Sequence, residues 1–258
     1  MSTKQYLYKV SILNRTNSHP LEAISYYSGE SQYAPGSNKS YVSNSQDNVI
    51  WRNLATPDKN NHQKYQNLPH FLQFRSPKND IISNARNMLW ARVFEREVRA
   101  DAQFARLFEV LIPGYFTKDM SIDAMNKFSS ILVDEGMIAD CSIHSRNSKE
   151  GGTSLLEAAK NNFQEEKQHF SIDYTGFLMC TLRDYENGIF VNKNRTWNDR
   201  QKMENWRKEW VKILAEIVHN SDPENKRIWE EKLTIYSEYE EIKKDLYKAS
   251  KPQAKIAS

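Results

Sequence analysis

The segment Glu135-Gly136-Met137-Ile138-Ala139-Asp140-Cys141-Ser142-Ile143-His144 changes period half-way along. Upstream, from Ser121 to Glu135, apolar residues recur at helical spacing. Gly136 stands where a helix needs a residue with positive φ to stop, and Met137 to Ile143 then read as an apolar strand that delivers His144 at its end. Helix, glycine, strand and a terminal histidine form one supersecondary unit.

Other strands flank this unit on both sides. Gln103 to Ile112, before Pro113-Gly114, reads as a strand whose alternation is broken by Arg106 and Glu109, and Tyr174 to Leu182 reads as a final apolar strand. At the N-terminus, Tyr6 to Leu13 alternates, with Leu7, Lys9 and Ser11 on one face and Tyr8, Val10 and Ile12 on the other. A polar stretch, Asn14 to Pro20, then places Ser18 to cap and Pro20 in the first turn of a helix expected to run to Ser28. Residues 29–80 are rich in Ser, Asn, Gln and Pro, so long loops are expected there, with small strands or hairpins at Val49-Ile50-Trp51 and Phe71 to Phe74.

An amphipathic helix is predicted from Ile81 to Asp101 on Ala85, Met88, Leu89, Val93 and Phe94. Residues 145–172 are polar, with one helix expected near Leu155 to Phe163. From Arg200 to Tyr247 the chain reads as helical, with Trp206, Trp210, Ile213, Leu214 and Ile217 on one stripe, and Trp229, Leu233 and Tyr236 on a second helix after Asp222-Pro223. Tryptophans at that spacing read as core, although base stacking is the alternative. The reading is an α+β domain over residues 1–199 and a helical C-terminal arm over 200–258, ending in a frayed polar tail.

The 258 residues are 39 % hydrophobic and 27 % charged, an ordinary globular balance. No run approaches the length of a membrane span, and the N-terminus lacks a basic start followed by an apolar stretch, so a cytoplasmic protein is expected. Cys141 and Cys180 sit in apolar strands, where thiols act as small hydrophobes, and neither a disulfide framework nor a CxxC metal site is supported. Net charge is only +3, but residues 1–100 hold 13 Lys and Arg against 7 Asp and Glu, a bias that suits a polyanionic partner.

Four segments in order resemble the MobA/MobL family of conjugative relaxases. Ala23-Ile24-Ser25-Tyr26-Tyr27-Ser28-Gly29-Glu30 is similar to the family's A-x-A-Y-R-S-G helix, whose tyrosine attacks DNA. Leu89-Trp90 through Glu97 and Arg99, then Ala105-Arg106 to Ile112-Pro113, resembles L-W-x-x-V-E-x-x-E-x-R followed by A-R-E-x-x-x-x-L-P. The segment 135–144 matches E-G-M-V-A-D-x-x-I-H, and Leu178 to Arg183 with Trp197-Asn198 and Trp206 to Trp210 resembles L-L-x-T-x-R, W-N and W-R-x-x-W. The resemblance covers about residues 5–215.

It implies a relaxase palm of the HUH-endonuclease kind: a central antiparallel sheet flanked by helices, a tyrosine helix nearby, and histidines on adjacent strands that hold a divalent cation. It also implies nicking of single-stranded DNA through a 5′-phosphotyrosine, with Tyr26 as nucleophile and His144 as metal ligand. A phenol with pKa near ~10 is a poor nucleophile, so a cation must stabilise charge on the phosphate.

The departures fall on that cation. Aligned on Thr181 and Arg183, Asp173-Tyr174-Thr175-Gly176-Phe177 stands where the family has N-P-H-A-H, and Leu107 replaces the A-R-E glutamate. One imidazole holds a transition metal poorly, which leaves Asp173, Glu109 or His169 as substitute oxygen or nitrogen donors and Mg or Mn as the metal. Glu109, two residues after Leu107, shares its strand face. By default Tyr26 is one of 13 tyrosines and His144 a hydrogen-bonded structural histidine. Arg96, Arg99, Arg106 and Arg183 are candidates for a phosphate-binding face, against pairing with Glu95, Glu97 and Glu109.

Three functional readings follow. The chain is a relaxase that cleaves and rejoins DNA, or a catalytically degenerate homologue that binds nucleic acid or a protein of the transfer machinery. The third makes it cargo of a type IV secretion system, with Lys248, Lys251 and Lys255 in the tail.

Overall fold

The computed structural model describes residues 8–34, 38–44, 48–56, 79–113, 116–145, 174–186, 189–234 and 242–244. In chain order the elements are β1 (Tyr8–Asn14), α1 (Pro20–Ser28), β2 (Gln32–Ala34), β3 (Lys39–Tyr41), β4 (Val49–Ala55), α2 (Asn79–Arg96), β5 (Gln103–Ile112), α3 (Lys118–Asp134), β6 (Ala139–Ser145), β7 (Tyr174–Thr181), β8 (Arg183–Glu186), β9 (Ile189–Lys193), a short 3-10 turn (Arg195–Asn198), α4 (Arg200–His219) and α5 (Pro223–Leu233). Two compact units result, Met1–Trp197 and Asn198–Ser258. The predicted strand Phe71 to Phe74, the predicted helix Leu155 to Phe163, Asp173, His169 and the lysines of the tail lie outside the described residues.

The first unit is built on a five-stranded sheet in the order β1-β5-β7-β6-β4, antiparallel throughout. The α+β architecture expected from sequence is the one observed. β5 and β7 are interior strands, buried along nearly their whole length, which is why Arg106 and Glu109 break the alternation of β5 without ending it: both faces are covered. α3 covers one face. Phe128 meets Tyr8 and Phe108 at ring separations of 6.1 and 5.8 Å, and Gly176 lets it approach: a Cβ there would stand 2.4 Å from Met125 Sδ and 2.7 Å from Val110 Cγ2. On the opposite face, Leu21 and Ile24 of α1 and Leu89, Trp90 and Val93 of α2 join Leu107, Phe177 and Met179 in one buried cluster.

Local chemistry sets the element ends. α3 stops at Gly136, with φ 100°; its N–H donates to the Val133 carbonyl and that of Met137 to the Leu132 carbonyl, the paired bonds of a left-handed glycine stop. α2 ends at Arg96, short of the expected Asp101. Beyond Phe94 no apolar periodicity continues, Val98 is exposed, and the Glu97 carbonyl accepts from the Arg15 guanidinium while its carboxylate turns to Arg183 and Lys193. Val49-Ile50-Trp51 belongs to β4, an edge strand of the main sheet, not to a small hairpin.

In the second unit, α4 starts at Asp199, whose carboxylate accepts from the Gln201 and Lys202 amides, and α4 and α5 pack together. Trp206, Trp210, Ile213, Leu214 and Ile217 are buried, as their stripe predicts. No helix among the described residues is long and apolar enough to cross a membrane.

Candidate functional site

α1 is the element that presents the tyrosines. His19, not Ser18, caps it: His19 Nδ1 accepts from the Leu21 amide at 3.1 Å, and the ring is held against Tyr41 and Phe94 at 4.8 and 4.0 Å. Pro20 occupies the first turn, where its missing N–H costs nothing. Gly29, with φ 67°, stops the helix after Ser28. Leu21, Ile24 and Ser28 point into the core, which turns Tyr26 outward, 42 % exposed.

The α1 face of the sheet lies below. Register places Lys9, Glu109, Phe177, Ser142 and Arg52 in one transverse row across β1, β5, β7, β6 and β4, and Leu111, Thr175 and His144 in the next. Phe177 and His144 meet edge to face at 4.8 Å, Tyr27 packs on Phe177 at 5.0 Å, and the Tyr26 ring lies 5.2 Å from Tyr27 and 6.0 Å from His144. Tyr26 and His144 are therefore brought together, and Glu109 faces the same side.

Two of the polar side chains there are paired. His144 Nε2–H donates to the Tyr27 carbonyl at 2.6 Å, and Lys9 Nζ donates to Glu109 Oε1 at 2.8 Å. Burial lowers the His144 pKa below the ordinary histidine value and the nearby Arg52 charge adds to this, against the opposing bond to Tyr27, so the ring is neutral. The Tyr27 phenol is pushed above the ordinary tyrosine range by burial, then by the charge of Glu109 and by Tyr26. Thr175 Oγ1 is buried with no hydrogen-bond partner among the described residues.

The four candidate arginines lie elsewhere. Arg106 is on the opposite face of β5, fully buried, and donates to the Trp197 carbonyl. Arg183, beyond the far end of β7, pairs with Glu97 at 2.6 Å, Arg99 pairs with Asp101 at 2.8 Å on the surface, and Arg96 is exposed at the end of α2. None of them is in the row beneath Tyr26.

Sequence reasoning missed a buried ionic chain beside α1. Arg52 pairs with Glu30 at 3.1 Å and donates to the Ser28 carbonyl at 3.1 Å; Glu30 also accepts from Arg86; Arg86 Nε donates to Asp140 at 2.8 Å, and Trp90 Nε1 adds a bond to Asp140 at 3.0 Å. Glu30, Trp90 and Asp140 all stand inside the quoted motifs, but their meeting is a tertiary fact. Burial raises the Asp140 pKa, against the pull of Arg86 and of the Arg86 and Trp90 hydrogen bonds.

With this geometry in view, residues 21–233 match the model of the MobA/MobL family. The chain belongs to the MobA/MobL family. It is accordingly a relaxase-family protein of DNA mobilisation. Its fold is similar to that of a chain solved in work on the molecular basis of vancomycin resistance transfer in Staphylococcus aureus, at 20 % identity and TM-score 0.59, covering 82 % of this chain and 91 % of that one. No curated protein matches the sequence.

MobA/MobL relaxases use a divalent cation, and the donors among the described residues do not fit one. No group of three His, Cys, Asp or Glu side chains converges among the described residues. The family's second and third imidazoles are replaced by a hydroxyl and a phenyl ring, His144 is left as a single imidazole with only Nδ1 carrying a lone pair, and Glu109 is paired with Lys9.

Proposed function

We propose that this MobA/MobL-family chain binds single-stranded DNA across the α1 face of its sheet, and that metal-assisted strand transfer has been lost from the site. One observation carries the reading. His144, the imidazole retained at the end of β6, is packed edge to face by the Phe177 ring, which stands where a second ligand would have to be.

Strand transfer would require the Tyr26 phenolate to form a bond to phosphorus while the bond to the leaving 3′-oxygen breaks, with the phenolic proton removed and the phosphate charge stabilised. Of the rings beside Tyr26, His144 is neutral and Tyr27 is held protonated by burial and the Glu109 carboxylate, so neither supplies that charge. The surplus of Lys and Arg in residues 1–100 supports retention of a nucleic-acid partner.

The test is incubation with single-stranded DNA in Mg or Mn, read by mobility shift and by denaturing gel. The expected result is a reversible shift without a covalent adduct. A denaturant-resistant adduct that disappears in Tyr26→Phe would sink the loss of strand transfer, and the absence of any shift would sink DNA binding. Capture of a transfer-machinery protein in place of DNA would favour the other inherited role.

A further inference from the structure

Where metal and nucleophile chemistry is expected, four rings are assembled instead: Tyr26, Tyr27, Phe177 and His144, each 4.8–6.0 Å from its neighbours in the set. Three are fixed from below. Phe177 and His144 are buried on β7 and β6, and Tyr27 is wedged over Phe177 with its own carbonyl bound by His144. Tyr26 tops the set, edge-on to Tyr27 at an interplanar angle of 80° and 42 % exposed. A large aromatic side chain packed on a buried base and partly open to solvent has the build of a stacking platform.

The surroundings match the rest of a nucleotide. Lys9 and Arg52 end the transverse row that runs through Phe177, four inter-strand spacings apart, or roughly 19 Å. Both are cations held in ion pairs, Lys9 with Glu109 and Arg52 with Glu30, and the Lys9 side chain is 43 % exposed. An aromatic centre thus lies between two ion-paired cations, and a strand whose bases stack on that centre would bring phosphates to compete with Glu109 and Glu30 for them.

We infer that Tyr26 serves as a stacking platform for an unpaired nucleobase, its flat ring carrying the function that the phenolic oxygen carries in a strand-transferring relaxase. This rests on the single-stranded DNA reading above and gives it a specific contact. The ring, not the hydroxyl, is then the essential feature, the opposite of what a nucleophile requires.

The experiment compares a fluorescein-labelled oligothymidylate of about 12 nucleotides with a strand of equal length built from abasic sugars, which has the same phosphates and no bases. Binding of wild type, Tyr26→Leu and Tyr26→Phe is followed by anisotropy. Leucine keeps apolar bulk and helix propensity while removing the ring. Tyr26→Leu is expected to weaken oligothymidylate binding about 5-fold or more, in the range of one lost base stack, and to leave the abasic affinity unchanged, which also shows that the variant is folded. Tyr26→Phe is expected to restore the loss. The inference is overturned if Tyr26→Leu binds oligothymidylate like wild type, if it weakens both strands equally, or if Tyr26→Phe is as weak as Tyr26→Leu. In each of those cases DNA binding itself still stands; if wild type binds neither strand, the DNA reading falls and the stacking contact falls with it.

Discussion

His144 and His19 are both used as neutral rings, one donating to the Tyr27 carbonyl and one accepting from the Leu21 amide. Both pKa values are lowered from 6.5, chiefly by burial, His19 with the added charges of Arg15 and Lys39. In the unfolded chain these rings take up protons near ~6.5, and in the folded chain only at lower pH, so across that window the unfolded state binds more protons. Stability is therefore complete above about pH 7 and is lost as pH falls from about 6.5 through the lowered values. Urea midpoints measured across this range should fall on acidification, and the fall should be smaller in His144→Gln; equal midpoints at about pH 7.5 and about pH 5.5 would contradict it. His144 as a strand-end histidine could be found from the motif around it. The partner it chose could not, because a backbone carbonyl on α1 has no signature in sequence.

The ionic chain that ties α1 to β4, α2 and β6 belongs to the scale of elements. Arg86 is fully buried between Glu30 and Asp140, and its removal leaves two carboxylates in a poorly solvated place. Arg86→Met is expected to cost about 3–5 kcal/mol, the usual penalty for breaking a buried pair, and Arg86→Met with Asp140→Asn to cost less than the sum of the two single changes. Additive effects in urea denaturation would show that the groups are not coupled. Element identity was largely legible: β1, α1, β5, α3, β6 and β7 follow from period and caps. The end of α2 and the place of β4 were not, since Arg15 and the partner strand β6 decide them from far along the chain.

For the molecule as a whole, a net charge of +3 predicts no strong non-specific hold on a polyanion, and the cations in the transverse row are few. If binding neutralises about three phosphates, the affinity for single strands should fall with a log–log salt slope near −2, or roughly 20-fold between about 50 and about 200 mM salt. A flat response would contradict a phosphate-tracking surface. The sequence by itself determined the family, the α+β class and the loss of imidazoles at Thr175 and Phe177, because these depend on local period and on residue type at aligned positions. Only the tertiary structure decided what stands beside Tyr26: strand register puts Lys9 against Glu109, Phe177 meets His144 edge to face, and the turn of α1 lays Tyr26 above them. Residues distant in the chain meet there because pleat and helix period, once paired across the sheet, leave those side chains one common face.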